Sequence, residues 1–445
     1  MSVGCGGAAG GFELAGAGRR PRRVLLEPGA VQGLMPGGIR VPMPVGRWVR
    51  QRFDASHVRD LPGTVRRELD RSGIAQAVRP GRRIAIAAGS RGIAHLAEII
   101  GAAVQEVRRR GAAPFIVPAM GSHGGATPEG QRRILAELGI DEEHMGCPVV
   151  SSMEVMTLGH LEDGTPICFD RAAFEADGVL VVNRVKPHTC FRGPIESGLA
   201  KMIAIGLGKH QGATALHAHG FPRFAELIPR AARLALQQAP ILGGLAIVEN
   251  AYQEIAHLEA IPAAAILQRE PELLAMARRQ MGRLPVDRLD LLIVDEIGKE
   301  ISGDGMDPNV TGRYAEPTMH GGPHVQKIVV LGLTAKTHGN ASGIGMADVT
   351  TQQVLDAIDF AATYTNLATS TLLAGGRIPV VMPGPEEAVS LALRTLNGVT
   401  PEQARVIRIR NTLELERIWV SEPVWEELAG RGTGEPLSEP APLAL

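Results

Sequence analysis

The sequence predicts an α/β protein of two domains, each built on a largely parallel sheet, with an active site in the cleft between them. Three observations carry this reading. The chain has 445 residues, more than one compact core accommodates. Short apolar runs alternate with amphipathic helical stretches, the signature of strand–helix–strand units. Several of those runs end in loops rich in Gly, His and Arg, where open parallel sheets bind ligands. Composition agrees: 44% hydrophobic and 21% charged residues describe an ordinary globular chain.

In order along the chain, residues 1–40 are rich in Gly, Ala, Pro and Arg without a clear apolar period and read as a loose arm. Residues 41–283 form the first predicted unit. Its first strand is the run RIAIAA from Arg83, followed by the loop Gly89-Ser90-Arg91-Gly92 and a helix that ends in three arginines and Gly111. Basic residues and then Gly suit the negative end of a helix. The strand PFIVPA follows, then the loop Met120–Gly125 and a helix opened by Thr127-Pro128-Glu129, where Thr caps and Pro fits the first turn. A third strand, GVLVVNRV from Gly178, stops at Lys186-Pro187-His188, since Pro holds the residue before it extended. The segment from Ser197 to Gly220 reads as mainly helical, and the stretch from about 270 to 288 as a linking helix. Residues 284–430 carry a second series of strands: LDLLIVDEIG, KIVVLGL, RIPVVM, VIRIR and ERIWV. Residues 431–445 read as a flexible tail.

A formal net charge of −1 gives no reason to expect nucleic acid or a membrane surface as partner. No apolar run is long enough to span a bilayer, and the first residues lack the pattern of a signal peptide, so the cytoplasm is the expected compartment. The four cysteines show no zinc-ribbon or redox spacing, and Cys190 lies two residues after His188. Lysine is scarce: 40 arginines stand against six lysines, so each lysine is more often needed as an amine. Lys186, Lys201 and Lys209 lie close together in sequence.

Arg91, His123 and His188 each follow a predicted strand end and converge on one crevice. His57, His95, His144 and His160 read as structural. His217 and His219 are two apart on a predicted helix and point to different sides, so at most one ligates a given ion. Imidazole suits nickel, zinc, copper and iron alike.

The runs MGSHGGATPEG and VKPHTCFRGPIESGLAK, with His217 downstream, resemble the lactate racemase family, over roughly residues 65–225 and only loosely beyond. That resemblance implies an isomerase, a racemase or epimerase, that inverts a 2-hydroxy acid carbon by reversible hydride transfer. Its cofactor is a nickel-pincer nucleotide, a pyridinium-3-thioamide-5-thiocarboxylic acid mononucleotide carrying nickel, which cofactor-biosynthesis enzymes supply. By the resemblance His123 and His188 are the catalytic acid/bases, Arg91 clamps the substrate carboxylate, and His217 is the nickel ligand. Lys201, Ser90 and Lys299 then bind the cofactor, Lys201 at the position that in the founding racemase is joined to it through a thioamide. The sequence departs from the family in three places. Ala88 replaces an aspartate, extra length falls around Arg192 to Glu196, and the family's tyrosine-glutamine-lysine pattern is missing from the second domain. Gly298 to Arg313 occupies that last region, with Lys299, Asp307, Asn309 and Arg313 as replacements, or simply as a Gly/Asp/Pro turn over 304–309. A divergent subgroup with a substrate other than lactate is expected. Two alternatives stay open: a hydrolase with zinc or iron held by histidines, which needs at least three ligands, and a non-catalytic protein that binds the nickel cofactor. A nicotinamide dehydrogenase is disfavoured, because no GxGxxG follows a strand.

Overall fold

A computed structural model describes residues 38–89 and 92–445. Most of the predicted arm, and both Ser90 and Arg91, therefore lie outside the described residues. Among the described residues no helix is long and apolar enough to cross a membrane.

The first strand, β1 (Val45–Arg50), does not join its sequence neighbours. The first sheet is built from β2 (Arg83–Ala88), β3 (Ala113–Pro118), β6 (Gly178–Arg184), β7 (Ile241–Glu249) and β8 (Ile255–Pro262), with a separate hairpin of β4 (Val155–His160) and β5 (Pro166–Asp170). Its order is β3-β2-β6-β7-β8, parallel except for the final β7–β8 pair. Both faces are covered, which explains why its strands read as nearly continuous apolar runs. Alternation sorts the side chains: Ala85, Ala87, Val179 and Val181 enter one core, while Ile84, Ile86, Leu180 and Val182 enter the other.

The second sheet contains β9 (Arg288–Val294), β10 (His324–Val330), β11 (Val349–Thr351), β12 (Val380–Met382), β13 (Val406–Ile409), β14 (Arg417–Ser421), β15 (Glu435–Pro436) and β16 (Ala441–Pro442). Its order is β12-β11-β10-β9-β13-β14-β1-β15, with β16 also on β1. From β12 to β13 the pairing is parallel, whereas β14 and β1 are antiparallel additions. Leu292 and Val294 face one core and Leu291 and Ile293 the other.

Two expectations are corrected here. β1, which the sequence reading places with the first unit, pairs with β14 of the second sheet. The tail beyond residue 430 is not loose, because β15 and β16 both pair with β1. Their sequences carry no periodic signal. They hold because the outer edge of β1 would otherwise expose unpaired backbone groups.

The helix at Thr127 forms as expected over Pro128–Glu137, the Thr127 side chain accepting from Gly130 N at 3.1 Å. The linking helix is shorter and earlier than predicted, Ile266–Gln280. The segment before Gly220 is broken rather than continuous: a short turn at Leu199–Lys201, a π-helical turn at Met202–Gly206, and a helix at Lys209–His217. Single π-turns concentrate at functional sites. Gly206 permits this one, since a Cβ there would stand 2.6 Å from the Ala119 carbonyl oxygen.

Candidate active site

The parallel strands β2, β3 and β6 end on one edge of the first sheet. From β6 the chain runs to Lys186-Pro187-His188 and loops back, so that Lys186 and Ser197 exchange backbone hydrogen bonds at 2.9 and 3.3 Å. This closed loop brings Lys201 to His188, with Lys201 Nζ 2.7 Å from His188 Nε2.

The His188 ring is fixed from both sides. Its Nδ1 accepts from the Cys190 backbone N–H at 3.0 Å. A neutral ring in that position carries its proton on Nε2, so the contact with Lys201 is a hydrogen bond only when the amine presents its lone pair. Burial first, and then the neighbouring Lys201, Lys186, His217 and Arg192, hold the His188 pKa well below the usual histidine value. The neutral ring therefore persists into mildly acid solution.

His217 ends the helix Lys209–His217, and its Nδ1 lies 2.6 Å from the Ala213 carbonyl oxygen. A ring donating from Nδ1 leaves the Nε2 lone pair free, the arrangement in which a carbonyl orients a metal-binding histidine. Burial again lowers its pKa, against the opposing bond to Ala213. His219 turns elsewhere, to Thr165 Oγ1 at 2.7 Å. Both His188 and His217 pack on Phe221, at ring distances of 5.8 and 5.6 Å, and Phe191 and Phe224 complete an apolar wall. This wall, absent from the sequence reading, excludes water on one side of both imidazoles.

His123 stands exposed on the loop after β3. That loop is tied to the π-turn, Gly121 N donating to the Gly206 carbonyl at 3.1 Å. Arg91 and Ser90 follow Gly89, which faces Met202 and Asn183 at the end of β2. Of the predicted residues, the structure thus brings His188, Lys201 and His217 together and places His123 on an adjoining loop.

The loop Arg192–Glu196, the extra length noted in the sequence, has two tasks. Glu196 is fully buried and accepts from His188 N at 2.7 Å, Gly193 N at 3.2 Å and Arg278 Nη2 at 2.6 Å. Arg192 reaches out to the second domain, donating to Asn309 and to Tyr314 Oη at 2.8 Å, while also holding the His188 carbonyl at 2.6 Å. Around it Cys190 Sγ meets Asp304 at 3.3 Å and Lys186 Nζ lies 3.7 Å from Asp307. Burial, with Asp304 beside it, pushes the Cys190 thiol well up, so it stays protonated as a donor. The segment 304–309 is therefore more than a turn: it docks on the loop that carries His188. Arg313, by contrast, braces its own domain, bonding Asp348 and the carbonyls of Met346, Val325 and Gln326. The Lys299 ammonium contacts the Gly303 carbonyl and Asn366 Oδ1, also within the second domain.

Among the described residues no three His, Cys, Asp or Glu side chains are grouped to hold a metal ion. A zinc or iron hydrolase site, which needs that number, is not assembled there. An ion on His217 would need its remaining donors from a bound group, which is what a pincer ligand provides.

Comparison with known proteins bears on the first domain and on the fold. Residues 56–225 match the family model "Lactate racemase N-terminal domain". No curated protein matches the sequence. Among solved structures, the lactate racemase apoprotein from Thermoanaerobacterium thermosaccharolyticum superposes with a TM-score of 0.50 at 14% identity, over 84% of this chain and 99% of that one. At that identity the likeness establishes the fold. Residues 56–225 thus resemble the lactate racemase N-terminal domain, and the chain shares its two-domain α/β fold with that apoprotein.

Proposed function

We propose that this chain is a racemase or epimerase of a 2-hydroxy acid that works with a nickel-pincer nucleotide. The observation that carries the proposal is the trio His188, Lys201 and His217, gathered against one phenylalanine wall with Nδ1 of each imidazole bonded to a backbone group. His217 would hold the nickel through Nε2, and Lys201 would hold the nucleotide, its amine lone pair suiting a covalent bond. When bound, that group would supply reversible hydride acceptance. The protein's part is proton handling and geometry. His188 would serve one face of the substrate and His123 the opposite face, since inversion requires an acid/base on each. To accept a proton at Nε2 the His188 ring must take the Nδ1–H tautomer and give up its bond from Cys190 N–H. Arg91 suits a carboxylate by its planar fork. Lys299 and Ser90 are further candidates for cofactor contact.

The test is metal analysis and a visible spectrum of the protein co-produced with the cofactor-making enzymes, with an active lactate racemase loaded in the same cells as control. About one nickel per chain, with absorption beyond the protein band and both lost in His217→Ala, is the expected result. Zinc, iron or no metal in a cell where the control is loaded would overturn the proposal.

A further inference from the structure

Lys209 is fully buried, although lysine seldom is, and it adopts the left-handed backbone region at φ +53°. A side chain held in such strain, at the first position of the helix that ends in His217, is over-determined by its surroundings. Its ammonium lies 2.9 Å from Asp170 Oδ2, 2.5 Å from the Pro118 carbonyl oxygen and 3.4 Å from Gln131 Oε1. Asp170 and Gln131 are themselves fully buried.

These partners define the two ends of one loop. Pro118 is the last residue of β3, immediately before the loop that carries His123. Gln131 turns its Nε2 to the carbonyls of Gly121 and His123, at 2.9 and 3.2 Å. An amide has one acceptor end and one donor end, and the cation at its Oε1 decides which way it points. Lys209 therefore grips the loop directly at its start and, through Gln131, at the backbone of His123. Burial lowers the lysine pKa while Asp170 opposes that shift, in keeping with an ion pair shut away from water.

We infer that Lys209 is a positioning residue for the reaction: it fixes the loop of His123 against the helix of His217, so that acid/base and metal ligand share one frame of reference. The catalytic part of this inference rests on the function proposed above; the structural part does not. Neither Lys209, Asp170 nor Gln131 is placed to react.

The experiment separates position from stability. Removing one member of a buried ion pair strands the other charge, whereas replacing both with neutral groups is far better tolerated. The double variant Lys209→Met/Asp170→Asn keeps the Asp170 capping oxygen and is expected to fold. Hydrogen exchange of residues 119–125 should then quicken about tenfold or more, while exchange in β2 and β6 is unchanged. With a substrate in hand, kcat should drop about 100-fold with little change in KM. Gln131→Met is the second variant, cutting the relay while leaving the ion pair intact, and it should loosen the same loop. Wild-type exchange at 119–125 in either folded variant would overturn the inference. A loosened loop in a protein whose wild type inverts no hydroxy acid would leave the positioning role standing and remove the proposed function.

Discussion

Glu270 offers a quantitative test of how the Lys201 helix is held. It is fully buried on the helix Ile266–Gln280, and its carboxylate accepts from the backbone N–H groups of Ala200, at 2.9 Å, and Leu199. Gly198 makes the approach possible, since a Cβ there would stand 2.3 Å from Glu270 Oε1. That oxygen has no hydrogen-bond partner among the described residues. Burial outweighs the two backbone bonds and raises the pKa from 4.5 to about 7. The folded protein thus keeps the proton over a range where the unfolded chain has released it, so this group's contribution to stability falls as pH rises from 4.5 to about 7. A shift of that size corresponds to about 3 kcal/mol. Glu270→Gln removes the titration, and any pH-independent cost of the amide cancels when the two proteins are compared across pH. Relative to wild type, the variant should gain about 2 to 3 kcal/mol between pH 5 and pH 8. Tryptophan fluorescence is a poor reporter, because Trp48, Trp419 and Trp425 all belong to the second sheet or its helix. Urea unfolding by circular dichroism, with hydrogen exchange over Leu199–Gly206, reads the right domain. A difference between the two proteins that does not change with pH would refute the reasoning.

Other outcomes follow from the same geometry. His188→Ala and His123→Ala should each abolish inversion while leaving nickel content near that of wild type; activity in both would end the two-histidine scheme. Because burial and nearby cations depress the His188 pKa, the acid limb of kcat/KM should fall below pH 6.5, and a limb at or above that value would contradict the assignment of His188 as the base. Lys201→Ala separates covalent from non-covalent cofactor holding: intact-mass analysis of the loaded wild type should show an adduct that the variant lacks, and an active wild type without any adduct would reduce Lys201 to a charge partner. Arg192→Ala severs the link to Asn309 and Tyr314, so KM should rise about tenfold and exchange over 304–314 should quicken with the core unaffected; unchanged values would make the contact incidental.

The legible parts of the fold were those with a physical period. The strands beginning at Arg83 and Gly178 and the Thr127 cap follow from apolar runs and from Pro and Thr at defined positions. The edge of the second sheet was not legible, because β1, β15 and β16 are short and their pairing partners lie hundreds of residues away. At the site, the three lysines that lie close together in sequence each meet a side-chain partner: Lys186 meets Asp307, Lys201 meets His188 and Lys209 meets Asp170. Nothing local announced the roles of Glu196 or Gln131, which depend on backbone groups brought together only by folding. The π-turn was equally hidden, since its sequence MIAIG reads as plain helix.

The central claim is that the hydrogen on the inverted carbon leaves and returns without exchange with water. The direct measurement is inversion of 2-hydroxy acids deuterated at C2, sugar acids among them, by the nickel-loaded protein in ordinary water, with the product read by mass spectrometry after chiral separation. The account predicts a product of opposite configuration that retains its deuterium. An inverted product that has lost deuterium to solvent would contradict it, and would point to proton abstraction at carbon in place of hydride transfer.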